Sequence, residues 1–196
     1  AYSFSKRIQP IFETYRQNEQ KSEAKLGAIN KQFAQQSQTD TLTRAFIRSH
    51  FSLELAKETV RSDRYRTPLS MIIFDIDRLE RVNSDLGNLA GDTVLQEVVN
   101  LVQDNIRRTD ILARWGGGEF VILAPGVDLE HGFKFAEKLR ILIEQNNFSI
   151  DQNLTCSFGI SDYTPAEELE KFIKRADTAL SQAKAQGRNS CISIQA

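Results

Sequence analysis

Cysteine, methionine, tryptophan and histidine are all scarce in this sequence of 196 residues, which has two Cys, one Met, one Trp and two His. Cys156 and Cys191 both lie in apolar, strand-like runs, so a disulfide scaffold is not expected and a reducing compartment is the natural assumption. Neither His50 nor His131 has a cysteine cluster beside it, which leaves a zinc centre with little support. No stretch approaches the run of about 18 apolar residues that a membrane span needs. The first residues also lack the basic, then apolar, then small order of a secretory leader, so neither feature is expected within the sequence, although a membrane segment could lie upstream. Net charge is equally thin: 25 Lys and Arg face 26 Asp and Glu, giving a formal charge of -1 at pH 7. With no interleaved basic and aromatic stretch, a nucleic-acid surface is not expected. What is present, 40% hydrophobic and 26% charged residues without repeats or low-complexity tracts, suits one soluble domain with an additional element.

The near-zero charge hides an asymmetry. Residues 1–37 carry six Lys and Arg against three Glu, a net +3, and leave the remainder at -4. In that segment Ile8, Phe12, Tyr15, Glu19, Ser22, Leu26, Ile29, Phe33 and Gln36 follow alternating steps of four and three, the a/d spacing of a left-handed coiled coil. The spacing predicts a long helix from near Pro10, pairing with its counterpart in a homodimer through residues 8–36. The alternative is an amphipathic helix that packs back on its own domain.

From residue 38 onward, short apolar runs alternate with amphipathic helices. Thr39 to Thr43 offers several N-cap side chains ahead of a helix carrying Phe46, Phe51, Leu55 and Val60 and running to about Arg64. Leu69 to Phe74 reads as a buried strand ending in Asp75-Ile76-Asp77. After a polar stretch, Gly91-Asp92 opens a predicted helix from Thr93 to Ile106. Ile111 to Arg114 and Phe120 to Leu123 are short strands whose spacing requires a tight hairpin through Trp115 to Glu119. A helix from Leu129 to Gln145, a strand from Leu154 to Ser161, a helix from Pro165 to Ala185 and a strand from Cys191 to Ile194 complete the order. The predicted fold class is α/β: a ferredoxin-like, nucleotidyl-cyclase-type central antiparallel sheet flanked by helices and preceded by the long N-terminal helix.

Asp75 and Asp77 stand at the carboxyl end of a core strand, where ligands commonly bind. One can hold a divalent ion while the other stabilises the turn; both can equally be solvated strand-end acids. Oxygen-only donors favour Mg2+ over zinc, and Glu119 on the hairpin is placed to join them. Gly116 to Gly118 lacks the Lys-Ser/Thr of a Walker loop and forms no Rossmann fingerprint. Lys184 and Arg188 flank a helix end closed by Gly187, where positive charge can meet a phosphate or merely complement the helix dipole.

These pieces together resemble the GGDEF domain, the diguanylate cyclase fold that condenses two GTP molecules into cyclic di-GMP. The resemblance runs from about residue 38 to the end. Its carriers are Asp40-Thr41-Leu42-Thr43, Phe74-Asp75-Ile76-Asp77, Asn83, Gly87, Gly91-Asp92, Arg114-Trp115-Gly116-Gly117-Gly118-Glu119-Phe120 and Lys184 with Gly187-Arg188-Asn189. It implies that Asp75 and the Ile76 carbonyl bind Mg2+ and that Asn83 and Asp92 read the guanine base. It further implies that Lys184 and Arg188 hold triphosphate oxygens. Asn83 and Asp92 have a plainer alternative as cap or turn residues. Arg107-Arg108-Thr109-Asp110 resembles the family's inhibitory product site, Arg107 and Asp110 gripping cyclic di-GMP; a structural salt bridge at a helix end is the alternative.

The sequence departs from the family pattern at two telling places. Gly118 stands where the family carries an Asp or Glu that binds metal near the attacking 3'-hydroxyl, and Glu80 stands where it usually has a Lys beside the phosphates. Smaller departures are Arg44, Ile47 and Asn88. The expectation is therefore a degenerate signalling domain, on the cytoplasmic side of a receptor with an upstream sensory part, that binds cyclic di-GMP, and GTP, and relays through a dimeric N-terminal helix with little or no cyclase activity. The alternative is a diguanylate cyclase using Asp75 and Glu119 as its catalytic acids.

Overall fold

The computed structural model describes residues 38–196, so the predicted coiled-coil helix and the homodimer seam through residues 8–36 lie outside the described residues. Six strands form one sheet in the order β1-β3-β4-β2-β5-β6. They are β1 (Phe46–Ile47), β2 (Leu69–Ile76), β3 (Ile111–Gly116), β4 (Glu119–Pro125), β5 (Cys156–Asp162) and β6 (Cys191–Ile194). The helices among the described residues are α1 (Arg48–Tyr65), α2 (Leu79–Leu86), α3 (Asn88–Gln103), α4 (Leu129–Gln145) and α5 (Leu169–Ala185). β3, β4, β2 and β5 pair antiparallel, and the short edge strands β1 and β6 add in parallel. This is the predicted ferredoxin-like core of interlocked β-α-β units, with β1 and α2 as additions.

The nearly continuous apolar run of β2, broken by the buried Ser70 and ending before Asp75, follows from burial on both faces. Ile72, Phe74 and Ile76 join Phe120, Ile122, Phe158 and Ile160 under α3 and α4. Leu69, Met71 and Ile73 face the other way, against Phe51 and Leu55 of α1 and Phe172, Ala176 and Leu180 of α5. At the centre, Phe74 stacks between Phe120 and Phe158, with ring centroids 5.3 and 5.2 Å away.

Several predicted boundaries move. Phe46 belongs to β1 and not to the first helix, which starts at Arg48 without a side-chain cap. Val60 is 67% exposed, so the apolar stripe of α1 ends at Leu55. The polar stretch after β2 is itself helical, and α3 starts at Asn88, so Gly91-Asp92 lies inside that helix. Asp40 caps a turn instead of a helix: its Oδ1 accepts from the Thr43 backbone N–H at 2.8 Å and the Thr43 hydroxyl at 2.7 Å.

Helix α5 lies so close to β5 that a Cβ on Gly159 would collide with the Ala176 carbonyl oxygen and the Leu180 amide nitrogen. Backbone on both sides of that contact cannot yield as a flexible side chain would. Gly159→Ala is expected to destabilise the domain by about 2–4 kcal/mol. The check is a lowered urea midpoint at unchanged m value.

Candidate nucleotide and metal site

The site is built where β2 and β4 run side by side. Antiparallel pairing sets Asp75 opposite Glu119, and the Ile76 N–H donates to the Gly118 carbonyl at 3.2 Å. From the last turn of α5, Lys184 reaches over the pair, its Nζ 3.0 Å from Asp75 Oδ2 and 3.6 Å from Glu119 Oε1. Burial pushes the Asp75 carboxyl above its ordinary pKa, and Lys184 only partly offsets that; the charges of Asp77 and Glu80 add to the rise. Burial acts downward on Lys184, but its hydrogen bond to and charge attraction by Asp75, together with Glu119, leave its pKa raised.

The two aspartates at the end of β2, Asp75 within the strand and Asp77 just past it, have separate jobs. Asp77, 8% exposed, accepts from Ser157 Oγ at 2.7 Å, Thr155 Oγ1 at 2.8 Å and the Asn189 N–H at 3.0 Å. It is the structural acid, and Asp75 is the one left facing the site. Gly118 lies beside it: a Cβ there would sit 3.2 Å from Asp75 Oδ1 and 3.0 Å from Leu79 Cδ2. Any acid at this position would therefore lie against Asp75. No group of three or more His, Cys, Asp or Glu gathers as a metal cage among the described residues. What remains is a pair of carboxylates converging on an ammonium, a donor set of the kind with which Mg2+ and a substrate phosphate complete their coordination.

Asn83 sits inside α2 and Asp92 inside the first turns of α3, and neither side chain makes a helix cap. The chain turns between the helices at Gly87, whose φ of 87° suits glycine. Gly91 then matters for what it lacks, because a Cβ there would overlap Asn83 Oδ1. The close approach brings the Asn83 amide against the start of α3, one residue from Asp92. Asp92 and Asn83 are both half-buried, and their side chains carry no hydrogen-bond partner among the described residues; the Asn83 carbonyl accepts from the Gly87 N–H.

Arg188 follows Gly187 in a left-handed conformation, φ 69°, and is fixed by the Asn189 bond to Asp77. It does not join the Asp75–Lys184–Glu119 group. It lines a neighbouring cavity of about 320 Å³ together with Arg78 and Arg81. Sequence reading passed over these two arginines; their step of three after a strand end is the pattern that points to them. Arg107 and Asp110 lie apart, before β3. The Arg107 backbone N–H donates to Asp110 Oδ2 at 2.8 Å, while Asp110 Oδ1 is buried without a partner. Burial raises the Asp110 pKa, against the Arg107 hydrogen bond and charge. The two side chains form no ion pair among the described residues, so the salt-bridge alternative does not describe this turn.

Comparison with known proteins matches residues 37–190 to the family described as diguanylate cyclase, GGDEF domain. The chain belongs to the GGDEF domain family. It is 36% identical over 188 residues to diguanylate cyclase DgcP of Pseudomonas aeruginosa, covering 94% of this chain and 28% of that protein. It is 31% identical to diguanylate cyclase A of Treponema denticola, covering 91% of this chain and 51% of the relative. The chain thus spans about half or less of the length of these curated relatives. Among solved structures, the GGDEF domain resembles the active GGEEF domain of a diguanylate cyclase from Vibrio cholerae, with 32% identity, a TM-score of 0.66 and coverage of 70% of this chain and 89% of that one. The coiled coil and GGDEF domain of DgcB from Caulobacter crescentus, in complex with c-di-GMP, shares the fold with a TM-score of 0.78 at 23% identity, covering 93% of this chain and 99% of that one.

A GGDEF domain that holds Asp75 above its ordinary pKa gives up stability for that charge. The carboxyl keeps its proton more tightly folded than unfolded, so stability declines as pH rises from the ordinary value of 3.8 through the raised folded value. Asp75→Asn is expected to raise Tm at pH 7 by about 2 °C. The gain should vanish below pH 3.8, and a lower Tm at pH 7 would mean that the Lys184 pair outweighs burial.

Proposed function

We propose that this GGDEF domain condenses two GTP molecules into cyclic di-GMP, with Asp75 and Glu119 as its acids and with a rate held down by the missing carboxylate at Gly118. The observation that carries this reading is the pair of acids facing each other across β2 and β4 under the Lys184 ammonium. The relatives bearing the name diguanylate cyclase support it. Each condensation forms a bond between a 3'-oxygen and an α-phosphorus and breaks the bond to pyrophosphate, and the hydroxyl proton leaves. Asn83 and Asp92 orient the guanine, Lys184 and Arg188 answer the phosphate charge, and Asp75, Glu119 and the Ile76 carbonyl are the groups that would hold Mg2+. Bound there, the ion would draw charge from the phosphate oxygens. Because Lys184 already spans the two acids, an arriving phosphate competes for it and releases both carboxylates.

Purified protein supplied with GTP and Mg2+ is expected to form cyclic di-GMP, and Asp75→Ala to abolish it. Gly118→Glu restores an acid against Asp75 and should raise the rate by about 10²–10³-fold, since a positioned acid or base contributes about that much. Product analysis by chromatography decides both points. No product from either protein at high concentration would sink the cyclase reading.

Gly118 favours a second reading, in which the domain is a non-cyclising module that binds cyclic di-GMP at Arg107 and Asp110 and passes its state through a homodimeric helix at residues 8–36. Asp110 Oδ1, buried and unpartnered, is a free acceptor for guanine hydrogens. Both readings put the domain on the cytoplasmic side, where GTP is, with an upstream sensory part. Under this second reading Arg107→Ala should weaken cyclic di-GMP binding at least about 10-fold by calorimetry. Unchanged affinity would remove the proposed site.

A further inference from the structure

The cavity beside Arg188 gathers three arginines near the site. It is bounded by the start of α2, the loop leading into β5 and the loop after α5, and its volume is about 320 Å³. Arg78, Arg81 and Arg188 all line it, together with Asn153; Asn189 also lines it, but its side-chain amide is engaged by Arg140 and Glu144. The single acid in its wall is Asp77, whose two oxygens are already engaged by Ser157, Thr155 and the Asn189 N–H. Neither Arg78 nor Arg188 has a carboxylate within ion-pair distance among the described residues. Arg81 is tied only through Nε to Asp85, at 3.3 Å, between side chains 68% and 44% exposed. Such a surface pair one helical turn apart contributes little and leaves the rest of the guanidinium fork unused. Three arginines lining one cavity, whose one acid is engaged by hydrogen bonds, make a receptor for an anion of several charges and many oxygens.

Glu80 does not line this cavity, although Arg78 and Arg81 stand on either side of it in sequence. Its field falls instead on Asp75, where it helps to raise the carboxyl pKa. At the start of α2, Arg78 and Arg81 thus line the cavity and Glu80 does not. Resting on the nucleotide site set out under Proposed function, we infer that Arg78 and Arg81 join Arg188 to receive the terminal phosphates of the nucleoside triphosphate. They take over the cationic role that Glu80 cannot fill. The cavity adjoins the reacting group through the chain itself: Asp77 lies two residues beyond Asp75, and Arg188 four beyond Lys184. The α-phosphate remains with Asp75 and Lys184 while the leaving pyrophosphate portion occupies the arginines.

The test is calorimetric titration of the full chain with GTP, GMP and inorganic tripolyphosphate, comparing the natural protein with Arg81→Ala and with the double variant Arg78→Ala/Arg81→Ala. Both side chains are exposed, so folding should persist; equal Tm values verify it, and Arg81→Gln serves as a second variant. GTP and tripolyphosphate affinities are expected to fall about 10-fold for each arginine removed, a size typical of a lost charge-assisted contact, with GMP affinity changed by less than about 2-fold. Unchanged GTP affinity in the double variant overturns the inference, and loss of GTP binding in Asp92→Ala would show that the nucleotide site survives that failure. Equal weakening of GMP and GTP also overturns it. Arginine-dependent binding of tripolyphosphate without any GTP binding would keep the cavity as a polyphosphate site and remove the nucleotide reading. Binding of neither would remove both.

Discussion

The buried carboxylate of Asp77 is the joint on which the site depends. A nearly inaccessible acid is tolerated only when its oxygens are satisfied, and here two hydroxyls and a backbone amide do so. Those partners come from the start of β5 and from the loop after α5, while Asp77 itself closes β2 just before Arg78. One side chain thus fixes where the chain leaves the sheet toward α2 and where Arg188 is held in its left-handed conformation. Mutating Asp75 removes a chemical group; mutating Asp77 would release the frame around it.

The balance of charge at the site is also set by burial. Lys184 neutralises Asp75 and Glu119 without any bound ion, so the acids need not stand as an unpaired buried pair. A family acid at position 118 would add a third carboxylate against Asp75. Glycine at this position leaves Asp75 without that neighbour.

The sheet and its principal helices were legible in the sequence because their periodicities are long and their cores deep. Leu69 to Phe74 is apolar except at Ser70 because α1 and α5 cover one face and α3 and α4 the other. What stayed hidden depends on few residues or on distant ones. Helix α2 buries only Leu79 and Val82, too few positions to display a helical period. Strand β1 exists through the pairing of Phe46 with Ala113, a contact that no local pattern announces. At the site, spacing placed Asp75 and Asp77 together at a strand end, but only the hydroxyls of residues 155 and 157 distinguish the structural acid from the one that faces the site. Gly91 was legible as a family position, whereas its reason, space for the Asn83 amide, is a tertiary fact. The N-terminal heptad pattern lies outside the described residues.

Arg114 links the start of the domain to its hairpin. Its guanidinium donates to Asp40 Oδ1 at 3.1 Å and, through Nε and Nη2, to the Gly117 carbonyl at 3.1 and 2.9 Å. Asp40, whose carboxyl is held below its ordinary pKa against burial by the Thr43 hydrogen bonds and by Arg114, keeps this clasp charged at neutral pH. It is the second residue of the described compact unit. The tip of the β3–β4 hairpin is therefore held from the first residues of the described unit, and Gly117, the point of attachment, lies only two residues before Glu119.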